Sequence, residues 1–134
     1  MCLIKDKKHH PFNHPLIAKE DIVCYKVLHI NYITNIFVTP YTKTPVSIEY
    51  LKNKVPFKAE ILNKFKFIWR HILGFSNVVT DGFIHTFSSE LPSYNLSFGE
   101  CVFKCIIPKG TKYFIGKCED VYASEQIIFV KQLR

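Results

Sequence analysis

Three runs in the last third of the chain constrain its fold most. Glu100 to Pro108 (ECVFKCIIP), Thr111 to Gly116 (TKYFIG) and Gln126 to Lys131 (QIIFVK) are dense in β-branched and aromatic residues, and Lys109-Gly110 separates the first two as a turn. Strands joined by so short a turn pair antiparallel, because a parallel return needs a long crossover. The same composition recurs from Asp21 to Asn31 (DIVCYKVLHIN), followed after a short turn at Thr34-Asn35 by Asn35 to Pro40 (NIFVTP). These two runs predict a hairpin. Asp81-Gly82 marks a turn before the apolar run Phe83 to Phe87, and Tyr41 to Pro45 and Ser88 to Phe98 read as loops.

From Pro56 the period changes. Phe57, Ile61, Phe65, Ile68 or Trp69, and Ile72 recur at three- and four-residue steps, with Lys58, Lys64, Lys66 and Arg70 largely off that stripe. The spacing predicts an amphipathic helix from Pro56 to Leu73, opened by a proline suited to a first turn and ended by Gly74. The stretch Val55 to Leu62 also reads as a strand. Residues 1–19 mix charges, three histidines and two prolines without either period, and predict an irregular N-terminal segment. A chain of 134 residues has the length of one domain. The expected fold is therefore α+β: residues 20–134 as a single domain, a mostly antiparallel sheet with one main amphipathic helix.

Charge is distributed unevenly. Of the net +7, residues 1–70 hold 12 Lys/Arg against 5 Asp/Glu, whereas residues 71–134 hold 6 against 6. A basic half raises the encounter rate with an acidic protein, a nucleotide or a nucleic acid. Binding of such a partner through the N-terminal half is the leading functional expectation. No run of about 18 apolar residues occurs and no apolar stretch follows the N-terminal charges, so neither a membrane span nor a signal peptide is expected, and the expected location is the cytoplasm. The five cysteines, Cys2, Cys24, Cys101, Cys105 and Cys118, form no C-x-x-C pair, and reduced thiols are expected. Cys2, His9, His10 and His14 have the chemistry of metal ligands without the paired spacing of a metal site. They read as a solvated histidine-rich tail, and no metal or other cofactor is assigned from the residues themselves.

One polar cluster interrupts an apolar pattern. His85 and Thr86, with Ser88 and Ser89 close behind, need partners when buried, since an unsatisfied polar group costs about 1–3 kcal/mol. Glu125, at the mouth of the last strand, is a candidate partner. The runs CIIPKGTKYFIG and YASEQIIFV, with IAKEDIVCYKVL and GFIHTF, resemble a family of small uncharacterised proteins from Bacteroidetes and their phages. That resemblance covers most of the chain and implies no activity of its own; the leading expectation is a non-enzymatic, intracellular accessory protein of phage or mobile-element type.

A more distant resemblance is to the ADP-ribosyltransferase-like fold. The Pro108-Lys109-Gly110-Thr111 stretch, followed by a loop and a Ser124-Glu125 pair opening an apolar strand, is similar to the region carrying the catalytic glutamate of toxin-type transferases. GFIHTFSS is similar to the serine-threonine-serine strand of the same fold. The resemblance implies a split-sheet architecture that binds NAD, with Glu125 stabilising an oxocarbenium-like transition state and Tyr25, His85, Thr86 and Ser88 lining the cleft. The chain departs from that pattern in two places. Tyr25 and Lys26 stand where such enzymes carry an arginine or a histidine, and Ala123 stands where an acid or glutamine is needed. The NAD-dependent enzyme is therefore the alternative to the binding protein.

Overall fold

Ile22–Asn31 alternates its side chains between the two sides of a sheet, and from Lys26 to Leu28 both sides are covered. Cys24, Lys26 and Leu28 are buried on one side of this strand, while Val23 is 45% exposed and Tyr25 half-exposed on the other. The computed structural model describes residues 3–11, 14–39, 45–58, 78–79, 83–89, 99–117 and 120–133. Within them lie β1 (Leu3–Ile4), β2 (Leu16–Ile17), β3 (Ile22–Asn31), β4 (Ile36–Val38), β5 (Pro45–Val46), α1 (Ile48–Lys52) and β6 (Phe57–Lys58). The second half adds β7 (Val78–Val79), β8 (Ile84–Phe87), β9 (Glu100–Ile107), β10 (Lys112–Ile115), β11 (Val121–Ser124) and β12 (Gln126–Gln132). Every strand pair among the described residues is antiparallel.

The large sheet runs in the order β2-β10-β11-β8-β3-β9-β12-β6, with β4 on β3 and β5 on β4, while β1 pairs with β7. This order forces a curl. β11 and β12 are joined through Glu125 alone, yet β8, β3 and β9 lie between them. In a flat sheet those four inter-strand steps would span about 19 Å, whereas two successive residues reach about 7 Å. The sheet must therefore roll until one nearly continuous strand, residues 121–132, enters it twice, between β10 and β8 and between β9 and β6, with Glu125 as its corner. Hydrogen bonds brace the bend: the Glu125 N–H donates to the Lys112 carbonyl (3.2 Å), Ser124 Oγ to the Gln126 carbonyl (3.2 Å), and Gln126 Nε2 to Thr111 Oγ1 (3.0 Å).

A small second cluster, Phe83, Phe114 and Ala123, lies on the outer side, and the main core fills the inner side of the roll. Cys24, Leu28, Ile84, Phe103, Cys105, Ile107, Ile127 and Phe129 bury their side chains there, with Tyr50 and Leu51 of α1 packed against them. A chain of rings, Phe37, Phe103, Phe129, Phe57 and Tyr50, crosses the core edge-on or tilted at 5.2–6.0 Å and ties β4, β9, β12, β6 and α1 together.

The structure differs from the sequence reading in three ways. Phe57–Lys58 is not the start of a helix but a strand that pairs with Gln126 and Ile127. Burial of Phe57 beside Phe129 satisfies the apolar stripe in another way. The remainder of the expected helix, 59–73, lies outside the described residues, as does the Asp81-Gly82 turn. The one helix described is α1, five residues long. The N-terminal segment is not irregular throughout: Leu16–Ile17 pairs with β10, Leu3–Ile4 with β7, and Lys5 bridges to Gly116.

His10 is not part of a solvated tail either; it is 1% exposed, with its ring 5.4 Å from that of Phe114. Its Nδ1–H donates to the His14 carbonyl (2.7 Å) and its Nε2 accepts from the Ile115 N–H (2.9 Å), a pattern only the neutral imidazole can make. Both ring nitrogens are spent within the chain. Burial is the largest cause holding the His10 pKa below its ordinary 6.5. The folded chain thus refuses a proton that the unfolded chain accepts, so stability should fall as pH drops below 6.5. A His10→Gln variant, less stable at pH 7, should lose that part of the dependence in thermal melts at pH 7 and 5. Equal losses in both proteins would remove His10 as its source.

Candidate anion-binding site

The two sides of the rolled sheet carry different chemistry. Inside, Lys26 lies between Cys24 and Leu28, its ammonium donating to the His85 carbonyl at 2.8 Å. β3 and β8 share the single pair Tyr25↔Phe87, so this bond acts as an extra rung between them. Burial pushes Lys26 down to about 8, opposed in part by the neighbouring Cys105 and Cys24. The two cysteines face each other across β3 and β9 as free thiols. Burial raises both, Cys24 to about 11, and so keeps them protonated and poor nucleophiles. The Thr86 hydroxyl, 1% exposed, lies beside the Cys24 thiol and has no oxygen or nitrogen partner among the described residues.

Outside, one row crosses four strands. Phe87 of β8 faces Tyr25 of β3, Tyr25 faces Lys104 of β9, and Lys104 faces Lys131 of β12. Directly paired residues point to the same side of a sheet, so the four side chains stand in line. Phe87, Tyr25 and Lys104 are half-exposed and Lys131 is exposed. Two lysines directly opposed across a ladder repel each other, a local cost that an anion between them would relieve. The register of β12 shifts between Phe129 and Lys131, beside this pair. The extra residue is what turns Lys131 to the outer side, two places after the inward-facing Phe129. The adjacent row, Val23, Ile106 and Ile128, is apolar and partly open to solvent.

The residues singled out from the sequence do not share one side. His85 lies in line with Phe87, on the side of Tyr25, and its Nδ1–H donates to the Phe83 carbonyl (3.2 Å). Thr86 points the other way, opposite Tyr122 in the core. Ser88 follows the end of β8, its N–H donating to the Asp120 carbonyl (2.9 Å). Glu125 is the corner of the long strand.

The basic N-terminal half is also divided. Lys5 is 1% exposed, its ammonium 4.4 Å from the Phe114 ring centre, and burial and then Lys7 push it down to about 8. Lys5 and Lys26 are buried, while Lys7, Lys8, Lys19, Lys52, Lys54 and Lys58 are exposed. The lysines of the outer row, Lys104 and Lys131, come from the neutral half. Sequence reasoning missed them, although the alternation in VFKCII places Lys104 opposite in sense to Phe103 and Cys105.

No helix among the described residues is long and apolar enough to cross a membrane. Comparisons with protein-family models, curated proteins and solved structures return no match for this chain.

Proposed function

We propose that the chain binds an anionic partner across the outer row Phe87, Tyr25, Lys104 and Lys131. The observation that carries this reading is the directly opposed Lys104–Lys131 pair beside a β-bulge, a repulsive arrangement that a bound anion turns to advantage. The overall charge of +7 adds long-range attraction to the same class of partner. The NAD-cleaving alternative draws less support from the geometry, because Thr86 lies on one side of the sheet while Tyr25 and His85 lie on the other.

Heparin, a generic polyanion, tests the reading by fluorescence anisotropy. Lys104→Glu should weaken binding about tenfold, equivalent to about 1.4 kcal/mol. Because the new carboxylate would stand opposite Lys131, the variant should melt no lower than the natural chain. Lys19→Glu changes the net charge equally at an exposed bend away from the row and should cost less than about threefold. Equal losses in the two variants would reduce the row to bulk charge.

A further inference from the structure

Resting on that reading, the same row narrows the class of anion. We infer that the partner is a single-stranded nucleic acid, with its bases stacked on Phe87 and Tyr25 and the adjoining phosphates held by Lys104 and Lys131. An acidic peptide would use the lysines and leave two neighbouring rings without a role. A nucleic-acid strand needs both halves of the row, since every base has a face that stacks on an aromatic ring and every nucleotide carries a phosphate. A duplex keeps its bases stacked internally and unavailable to Phe87 and Tyr25. Across four strands the row spans about 14 Å, room for about two bases and their flanking phosphates. The aromatic end and the basic end are each contiguous, so a strand laid across β8, β3, β9 and β12 passes from stacking to charge neutralisation along one line. The apolar Val23, Ile106 and Ile128 alongside present no hydrogen-bonding group to base edges, so recognition is tolerant of sequence.

The test uses the full chain with three probes: a short oligothymidylate, a duplex of equal length and heparin. The oligothymidylate should bind at least tenfold more tightly than the duplex. A Tyr25→Leu/Phe87→Leu variant, which keeps apolar bulk at both positions, should weaken oligothymidylate binding at least tenfold, and by a larger factor than it weakens heparin binding. In the Lys104→Glu/Lys131→Glu variant, the dependence of oligothymidylate affinity on salt should become shallower by about 1.4 in log–log slope, the share of two phosphates on a single strand. If heparin binds through Lys104 while the aromatic substitutions leave oligothymidylate binding intact, or the duplex binds as well, the nucleic-acid inference fails and the anionic-partner reading stands. If none of the probes depends on Lys104, both fail together.

Discussion

In urea titrations at pH 7, Lys26→Met should be more stable than the natural chain by about 2–3 kcal/mol. Folding moves the Lys26 ammonium from water into the core and lowers its pKa from 10.5 to about 8, which corresponds to about 3 kcal/mol at pH values below 8. Methionine fills the same volume without a charge, and the loss of the bond to the His85 carbonyl returns about 1 kcal/mol of the gain. The sign of the pH dependence follows from proton counts. Between pH 8 and 10.5 the unfolded chain still binds a proton that folded Lys26 has released, so the natural chain gains on the variant as pH rises. The difference should be largest at neutral pH and mostly gone by pH 10.5. Cys24 and Cys105, whose raised pKa values weaken both proteins as pH rises above 9, are each held down in part by Lys26, so the comparison is cleanest between pH 7 and 9. A variant less stable than the natural chain, or a difference that ignores pH, would show that Lys26 is not an uncompensated charge.

Phe129→Ala should act in the opposite direction and more strongly, lowering stability by about 3–5 kcal/mol. Phe129 has no exposed surface and sits at the middle of the five-ring chain, with Phe103 at 5.6 Å and Phe57 at 6.0 Å. Truncation removes the transfer free energy of a large ring, both edge contacts and the central link between β9 and β6. The neighbouring rings are held on four different elements and cannot all move to fill the space. With an ordinary urea dependence, the midpoint of unfolding should fall by about 2 M. A change below about 1 kcal/mol would mean that the core closes over the gap.

Strands long enough to carry a repeating pattern were readable from the sequence. Asp21 to Asn31 and Glu100 to Pro108 correspond to β3 and β9 within one residue at each end, and the Thr34-Asn35 turn joins a real hairpin. Asn35 adopts a φ of 57° there, and Gly110 takes 88° in the Lys109-Gly110 turn, conformations these residue types reach at little cost. β1, β2, β5, β6 and β7 are two residues each and have no period to read; partners distant in sequence create them. An apolar stripe at helical spacing places Pro56 and Phe57 in a helix and competes with the strand reading of the same stretch, and pairing with β12 makes Phe57 a strand residue. The candidate site was only half legible. Tyr25 and the Phe83 to Phe87 run stood out, but the Lys104–Lys131 opposition depends on a bulge that no local pattern announces. The Ser124-Glu125 pair drew notice as a catalytic signature, while the structure shows it turning the chain between two places in a rolled sheet.

That corner also bears on how the molecule comes apart. Because one backbone passes from the side of β8 to the side of β9, β11 cannot leave its place in the sheet without straining β12 through Glu125. Opening of β11 is therefore coupled to opening of β12, and β8, β3 and β9 between them, which carry most of the outer row, share that coupling.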